Sequence, residues 1–185
     1  MLKKYCAFLR GVNVNGITIK MNDLKAAFTE MGFLDVKTIL ATGNVIFSAE
    51  AAASEHELKS RIESGLSNYF HYEAYVFVLG EKAIQDIVTA ARNNTVPDGY
   101  HHYSLLFDEE KLSIKLKVLF DSIPKIQQEQ FIPHPYGAFW IVPKGSTLDS
   151  EFGSKVLGSR QYKSLLASRN LNTIEKIACA ISDQN

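Results

Sequence analysis

Val36-Lys37-Thr38-Ile39-Leu40-Ala41-Thr42-Gly43-Asn44-Val45-Ile46-Phe47 is the stretch from which the fold is read. Two β-prone runs, Val36–Leu40 and Val45–Phe47, flank Thr42-Gly43-Asn44, whose Gly and Asn both tolerate a positive φ. This is a hairpin. Upstream, Lys4–Leu9 is an apolar run of strand length. Between it and the hairpin, Leu24, Ala27, Phe28 and Met31 recur at helical spacing, with Asn22 or Asp23 as cap and Gly32 as stop. Downstream, Ser54-Glu55-His56-Glu57 is a capping box, and Leu58, Ile62, Leu66 and Tyr69 give the helix it opens an apolar side. Tyr72–Leu79 then reads as a strand. The order through Gly80 is βαββαβ.

The rest of the chain repeats this order loosely. Ile84, Ile87, Val88 and Ala91 mark a helix, and Tyr103–Phe107 a strand. Leu112–Phe120 fits both periods, and its place between two strands favours a helix. Gln127–Ile132 and Ala138–Val142 read as strands around Pro133-His134-Pro135-Tyr136-Gly137. From Glu151 the chain reads as helical, broken near Gly158 and Asn170, with Ile174, Ile177, Ala178 and Ile181 on the last apolar face. The expected class is α+β, with antiparallel sheets and a helical C-terminus. The expected domains are residues 1–80 and 81–185.

With 185 residues and ordinary hydrophobic content, the chain can bury a real core. Lys plus Arg and Asp plus Glu balance at 20 each, so a polyanion would have to be held by a local patch rather than by bulk charge. Cys6 and Cys179 lie far apart among apolar residues and read as two buried thiols in a reducing cytosol. Tyr5–Leu9 is too short for a signal sequence, and no stretch has transmembrane length. The expected location is cytoplasmic.

Cationic and amide side chains gather in Leu9-Arg10-Gly11-Val12-Asn13-Val14-Asn15-Gly16 and at Lys20. The two glycines have P-loop spacing, but Ile17 and Thr18 stand where that motif requires Lys and Ser/Thr. Arg10 at a strand exit suits a phosphate or carboxylate, or an internal ion pair with Asp23. Lys20 opposes the dipole of the helix it precedes, so it is either half of an anion site or a solvated lysine. Ser168-Arg169-Asn170-Leu171-Asn172-Thr173 repeats the pattern before the last helix, where Asn172 or Thr173 is the expected cap. If the two clusters meet, they form one cationic groove.

The histidines have no metal-ligand spacing, and adjacent His101 and His102 face opposite ways in a strand. There is no GxSxG elbow and no marked acid pair. Nothing implies a metal or a cofactor. Tyr136, Phe139 and Trp140 fit a core strand better than a base-stacking platform.

The chain resembles the domain of unknown function 1697, an uncharacterised bacterial family. The resemblance rests on Ala7–Gly16, Lys20-Met21, Leu24, Gly32-Phe33, Thr42–Phe47 and Arg169–Thr173. Asn15, Thr42 and Leu171 depart from the family's usual Gly, Ser and Trp. The resemblance implies two tandem ferredoxin-like halves and no assigned activity. The functional expectation is a binding module for a nucleotide or single-stranded nucleic acid. Arg10, Lys20 and Arg169 would hold phosphate, and Asn13 and Asn44 a base or sugar. Gly11, Gly43, Asn170 and Asn172 complete the expected ligand-binding set. The alternatives are an enzyme on a small anionic substrate, for which no nucleophile or general base stands out, and a structural or partner-binding protein.

Overall fold

The computed structural model of the chain describes residues 1–11, 18–107 and 109–183. Contacts divide it into two units, Met1–Gln85 with Lys176–Asn185, and Asp86–Glu175. Each holds one four-stranded antiparallel sheet and one βαββαβ-like run.

The first unit runs β1 (Leu2–Arg10), α1 (Met21–Glu30), β2 (Leu34–Ile39), β3 (Asn44–Glu50), α2 (Glu55–Phe70) and β4 (Tyr75–Gly80), with sheet order β2-β3-β1-β4. Tyr5, Ala7 and Leu9 of β1 meet Val45, Phe47 and Ala49 of β3 and Val76 and Val78 of β4 on one face. Leu24, Ala27 and Phe28 of α1, with Leu58, Ile62 and Leu66 of α2, cover that face. Phe47 is the hub, with ring centroids 4.6 Å from Phe33, 5.6 Å from Phe28 and 5.8 Å from Tyr5. Cys6, Phe8, Ile46 and Phe77, pointing the other way, are buried too. Lys4 on that second face donates from Nζ to the Ile181 carbonyl, 3.0 Å away on the last helix. Burial on both faces explains why β1 reads as an unbroken apolar run.

The capping box of α2 forms as its sequence requires. Ser54 Oγ accepts from the Glu57 amide at 3.2 Å, and the Ser54 amide donates to Glu57 Oε2 at 2.8 Å. These bonds hold the Glu57 carboxyl below its ordinary range. Tyr69, expected on the buried side, is 42% exposed, because the apolar row ends at Leu66. Helix α1 starts one residue earlier than Asn22. Lys20 is its N-cap, with extended backbone and no side-chain bond to the first turn. Asp23 lies inside that turn, where its charge suits the helix dipole.

The second unit runs from α3 (Glu81–Ala91) through β5 (Tyr100–Leu106), α4 (Glu110–Ser122), β6 (Gln130–His134), β7 (Gly137–Pro143), α5 (Glu151–Val156) and β8 (Ala167–Asn170) into α6 (Leu171–Ser182). Both α3 and α6 cross from one unit's residues to the other's. The sheet order is β6-β7-β5-β8. Leu112, Leu116 and Phe120 bury one face of α4, while Ile114 and Val118 are exposed, so the strand-like alternation there had no packing behind it. Phe120, Phe131, Trp140 and Phe152 form the aromatic core, at centroid spacings of 5.3 to 5.7 Å. Glu129 is buried among them, yet its carboxylate is satisfied. Oε1 accepts from Trp140 Nε1 at 2.8 Å and Ser150 Oγ at 2.7 Å, and Oε2 from the Ile126 amide at 3.1 Å.

Two expectations are corrected here. Ala167–Asn170 is a strand, not part of a helical tail. It pairs with β5 from Leu106↔Ala167 to Tyr103↔Asn170, and this tertiary pairing decides a segment with no apolar period of its own. Cys179 is exposed on α6, while Cys6 is buried as expected; both thiols are free. Phe139 and Trp140 are core residues.

Candidate functional site

The cationic motif falls at one end of the first sheet. Arg10 is the last residue of β1 and the direct partner of Tyr75 in β4. It is half-buried, and burial lowers the pKa of its guanidinium. A cation is thus held partly out of water at a strand exit, where its interaction with an anion is screened less than on an open surface. Gly11 follows at φ 74°, a conformation that favours glycine, and turns the chain sharply out of the strand.

The β2–β3 turn is fastened beside it. Gly43, at φ 71°, accepts from the Leu9 amide at 2.8 Å through its carbonyl. Asn44 is fully buried and pairs with Phe8. Its Nδ2 donates to the Ile39 carbonyl at 3.0 Å and to Thr42 Oγ1 at 2.8 Å. Both amide hydrogens therefore latch the turn. Asn13 lies outside the described residues. Lys20 is exposed at the first turn of α1, whose leading amides lack intrahelical partners. The structure thus gathers Arg10, Gly11, Gly43 and Asn44 at one corner, and sets Lys20 at the mouth of the helix that follows.

The second cluster lies on β8 and α6. Arg169 is half-buried, is the strand partner of Ser104, and donates from Nη1 to the Ser168 carbonyl at 2.8 Å. Asn170, rather than Asn172 or Thr173, caps α6, since its Oδ1 accepts from the Asn172 amide at 3.1 Å. Its Nδ2 lies 3.4 Å from His101 Nδ1. Asn172 itself is exposed. Tyr75 is the residue that sequence reasoning missed. It lay inside a run read as one aromatic strand, and its place opposite Arg10 depends on a register that turns outside the run decide.

A serine–histidine pair in the second unit also invites a chemical reading. Ser104 Oγ lies 3.4 Å from His134 Nε2. The Tyr136 amide donates to His134 Nδ1 at 3.2 Å, so the ring proton sits on Nε2 and points at the serine. That tautomer cannot take a proton from Ser104. Burial first, and the neighbouring His102 second, press the His134 pKa down to about 4. The pair is a neutral core contact against Phe139, 4.4 Å away by centroid. Among the described residues no group of three or more His, Cys, Asp or Glu could hold a metal. No described helix is long and apolar enough to cross a membrane.

A family model described as a protein of unknown function (DUF1697) matches residues 2–132. The chain belongs to the DUF1697 family. Among solved structures, this DUF1697 protein is similar to the conserved bacterial protein SP0830 from Streptococcus pneumoniae. The two share 18% identity over 98% of this chain and 99% of the other, with a TM-score of 0.75. At that identity the likeness establishes the fold. Comparison with curated proteins finds no match.

Proposed function

We propose that the chain binds a phosphate-bearing ligand, a nucleotide or a single-stranded nucleic acid, at the exit of β1. The observation that carries this reading is Arg10, half-buried at a strand end, followed by left-handed Gly11 and preceded by Leu9, which the left-handed Gly43 turn holds. A planar cation with fixed donors suits phosphate oxygens, and the glycine turns let backbone amides approach an anion closely. Lys20 supports the reading because a lysine N-cap opposes the helix dipole and supplies no acceptor to the first turn. A bound anion would relieve both. Asn44 serves as the latch that closes the Gly43 turn, and the Leu9 amide ties that turn to β1.

The test is a thermal-shift panel of nucleotides, sugar phosphates and short single strands on wild type and Arg10→Ala. Ligand at about a hundred times its dissociation constant adds ~2.7 kcal/mol to stability. The expected result is a shift by phosphate-bearing ligands that Arg10→Ala abolishes while remaining folded. For a single strand, the logarithm of the binding constant should fall with the logarithm of salt by about 0.7 per phosphate contact. No shift by any member of the panel would overturn the proposal.

A further inference from the structure

We propose that Tyr75 is the aromatic half of this site and makes it selective for nucleoside phosphates over phosphates that carry no base. The inference rests on the phosphate reading of Arg10 and adds to it the class of ligand.

Arg10↔Tyr75 is the last rung of the β1–β4 ladder. Direct antiparallel partners project to the same face, with Cβ atoms about 4.5–5.5 Å apart. Alternation gives the same answer. Val76 and Val78 enter the core under α1 and α2, so Tyr75 and Phe77 turn to the opposite face, which Arg10 shares with Phe8 and Lys4. Because β4 ends the sheet and Tyr75 begins β4, its ring stands at a corner and is only half-buried. A half-buried ring across the ladder from an arginine, at a sheet corner, can stack a base while the cation holds its phosphate.

The charges around the ring give the site a direction. The Tyr75 phenol hydrogen-bonds the exposed Glu73 carboxylate, which raises its pKa, and Glu63 lies close enough to push the same way. Glu63 in turn accepts from the Val76 amide at 2.9 Å. Two carboxylates near the phenol repel phosphate, and Arg10 on the neighbouring strand attracts it. A ligand is therefore held with its phosphate at Arg10 and its uncharged portion along the ring toward Glu73. There an exocyclic amine or a ribose hydroxyl meets an acceptor. A sugar phosphate satisfies the Arg10 end and leaves the ring uncovered.

The experiment is calorimetric titration of the full chain with AMP and with ribose 5-phosphate. The forms compared are wild type, Tyr75→Phe, Tyr75→Leu, Tyr75→Thr and Arg10→Ala, each checked for folding by circular dichroism. Stacking one base on an aromatic side chain corresponds to a preference for AMP of about tenfold (~1.4 kcal/mol). Tyr75→Phe should keep that preference. Tyr75→Leu and Tyr75→Thr, either of which suffices if the other misfolds, should collapse it to within about twofold while ribose 5-phosphate still binds. Arg10→Ala should weaken both ligands together. A folded Tyr75→Leu or Tyr75→Thr that keeps the preference overturns the assignment. So does a wild type that binds both ligands equally through Arg10, and in that case the phosphate reading survives. If neither ligand binds wild type, the phosphate reading has failed and the assignment falls with it.

Discussion

The two units close the same corner with the same backbone bond and then furnish it with opposite charge. In the first, the Leu9 amide at the end of β1 donates to the Gly43 carbonyl of the β2–β3 turn at 2.8 Å. In the second, the Phe107 amide after β5 donates to the Tyr136 carbonyl of the β6–β7 turn at 3.2 Å. Phe8 pairs with Asn44 as Leu106 pairs with Gly137. Beyond these matched bonds the corners diverge. The first carries Arg10. The second has a cavity of about 340 Å³ lined by Phe107, Glu109, Glu110, Ser113, His134, Pro135 and Gly137. The βαββαβ frame thus supplies a corner, and a few residues decide what it can hold. For that reason the fold shared with SP0830 carries no function by itself.

The sharpest way to break the comparison is acid. At the second corner His134 is half-buried and neutral, with a pKa of about 4 against about 6.5 for an exposed imidazole. Its folded pKa lies below its unfolded one, so in that window the unfolded chain binds the proton and the folded chain does not. Stability should fall as pH drops from about 6.5 to about 4 and level off below, by roughly 3 kcal/mol in all. Among the described residues, the first corner has no such histidine. Hydrogen exchange across that range should therefore weaken protection in β5 and β7 before β1 and β3, and His134→Phe should flatten the slope. Equal loss in both sheets, or an unchanged slope in the variant, would show that His134 does not distinguish the corners.

What the sequence made legible follows the reach of the forces involved. The capping box at Ser54, the left-handed stop at Gly32 and the apolar faces of α1, α2 and α3 are local and, Tyr69 apart, they stand where the periodicity put them. Strand β8 was not legible. Ala167-Ser168-Arg169-Asn170 becomes a strand because β5 offers it an open edge, which is information from another part of the chain. The site divides the same way. Arg10, Gly11 and Gly43 could be gathered from composition and turn chemistry. The latch made by Asn44, the cap made by Asn170 and the pairing of Arg10 with Tyr75 needed register, and a shift of one residue would have turned each side chain to the other face.

Asn44 and Gly137 occupy matching positions by different physics, which gives the next contrast. A side chain at Gly137, at φ 141°, would overlap the Leu105 carbonyl, so that corner admits no substituent. At Asn44 the side chain is required instead. Asn44→Ala strips the donor from two acceptors, Ile39 O and Thr42 Oγ1, at a fully buried position. The expected loss is ~2 kcal/mol in chemical denaturation. The Gly43 turn should loosen as well, so affinity for a phosphate ligand should fall even though Asn44 makes no contact with it. A variant that loses stability and keeps full affinity would remove Asn44 from the support of the site.

The smallest effect is the most telling about Lys20. Helices α1 and α2 pack on the same sheet face, yet α2 begins with a complete capping box and α1 with a lysine that caps nothing. If Lys20 were retained for stability, the choice would be a poor one, since Ser, Asp and Asn are the favoured caps and the helix N-terminus prefers negative charge. Lys20→Asp should supply the missing acceptor, complement the dipole and raise stability by about 1 kcal/mol. At the same time it replaces the cation at the mouth of α1 with an anion, and if Lys20 shares the phosphate with Arg10, phosphate affinity should drop by about tenfold or more. The two readouts move in opposite directions only if the position has exchanged helix stability for ligand binding. A Lys20→Asp variant that gains stability and binds as tightly as wild type would leave Lys20 a solvated lysine, with Arg10 alone carrying the anion.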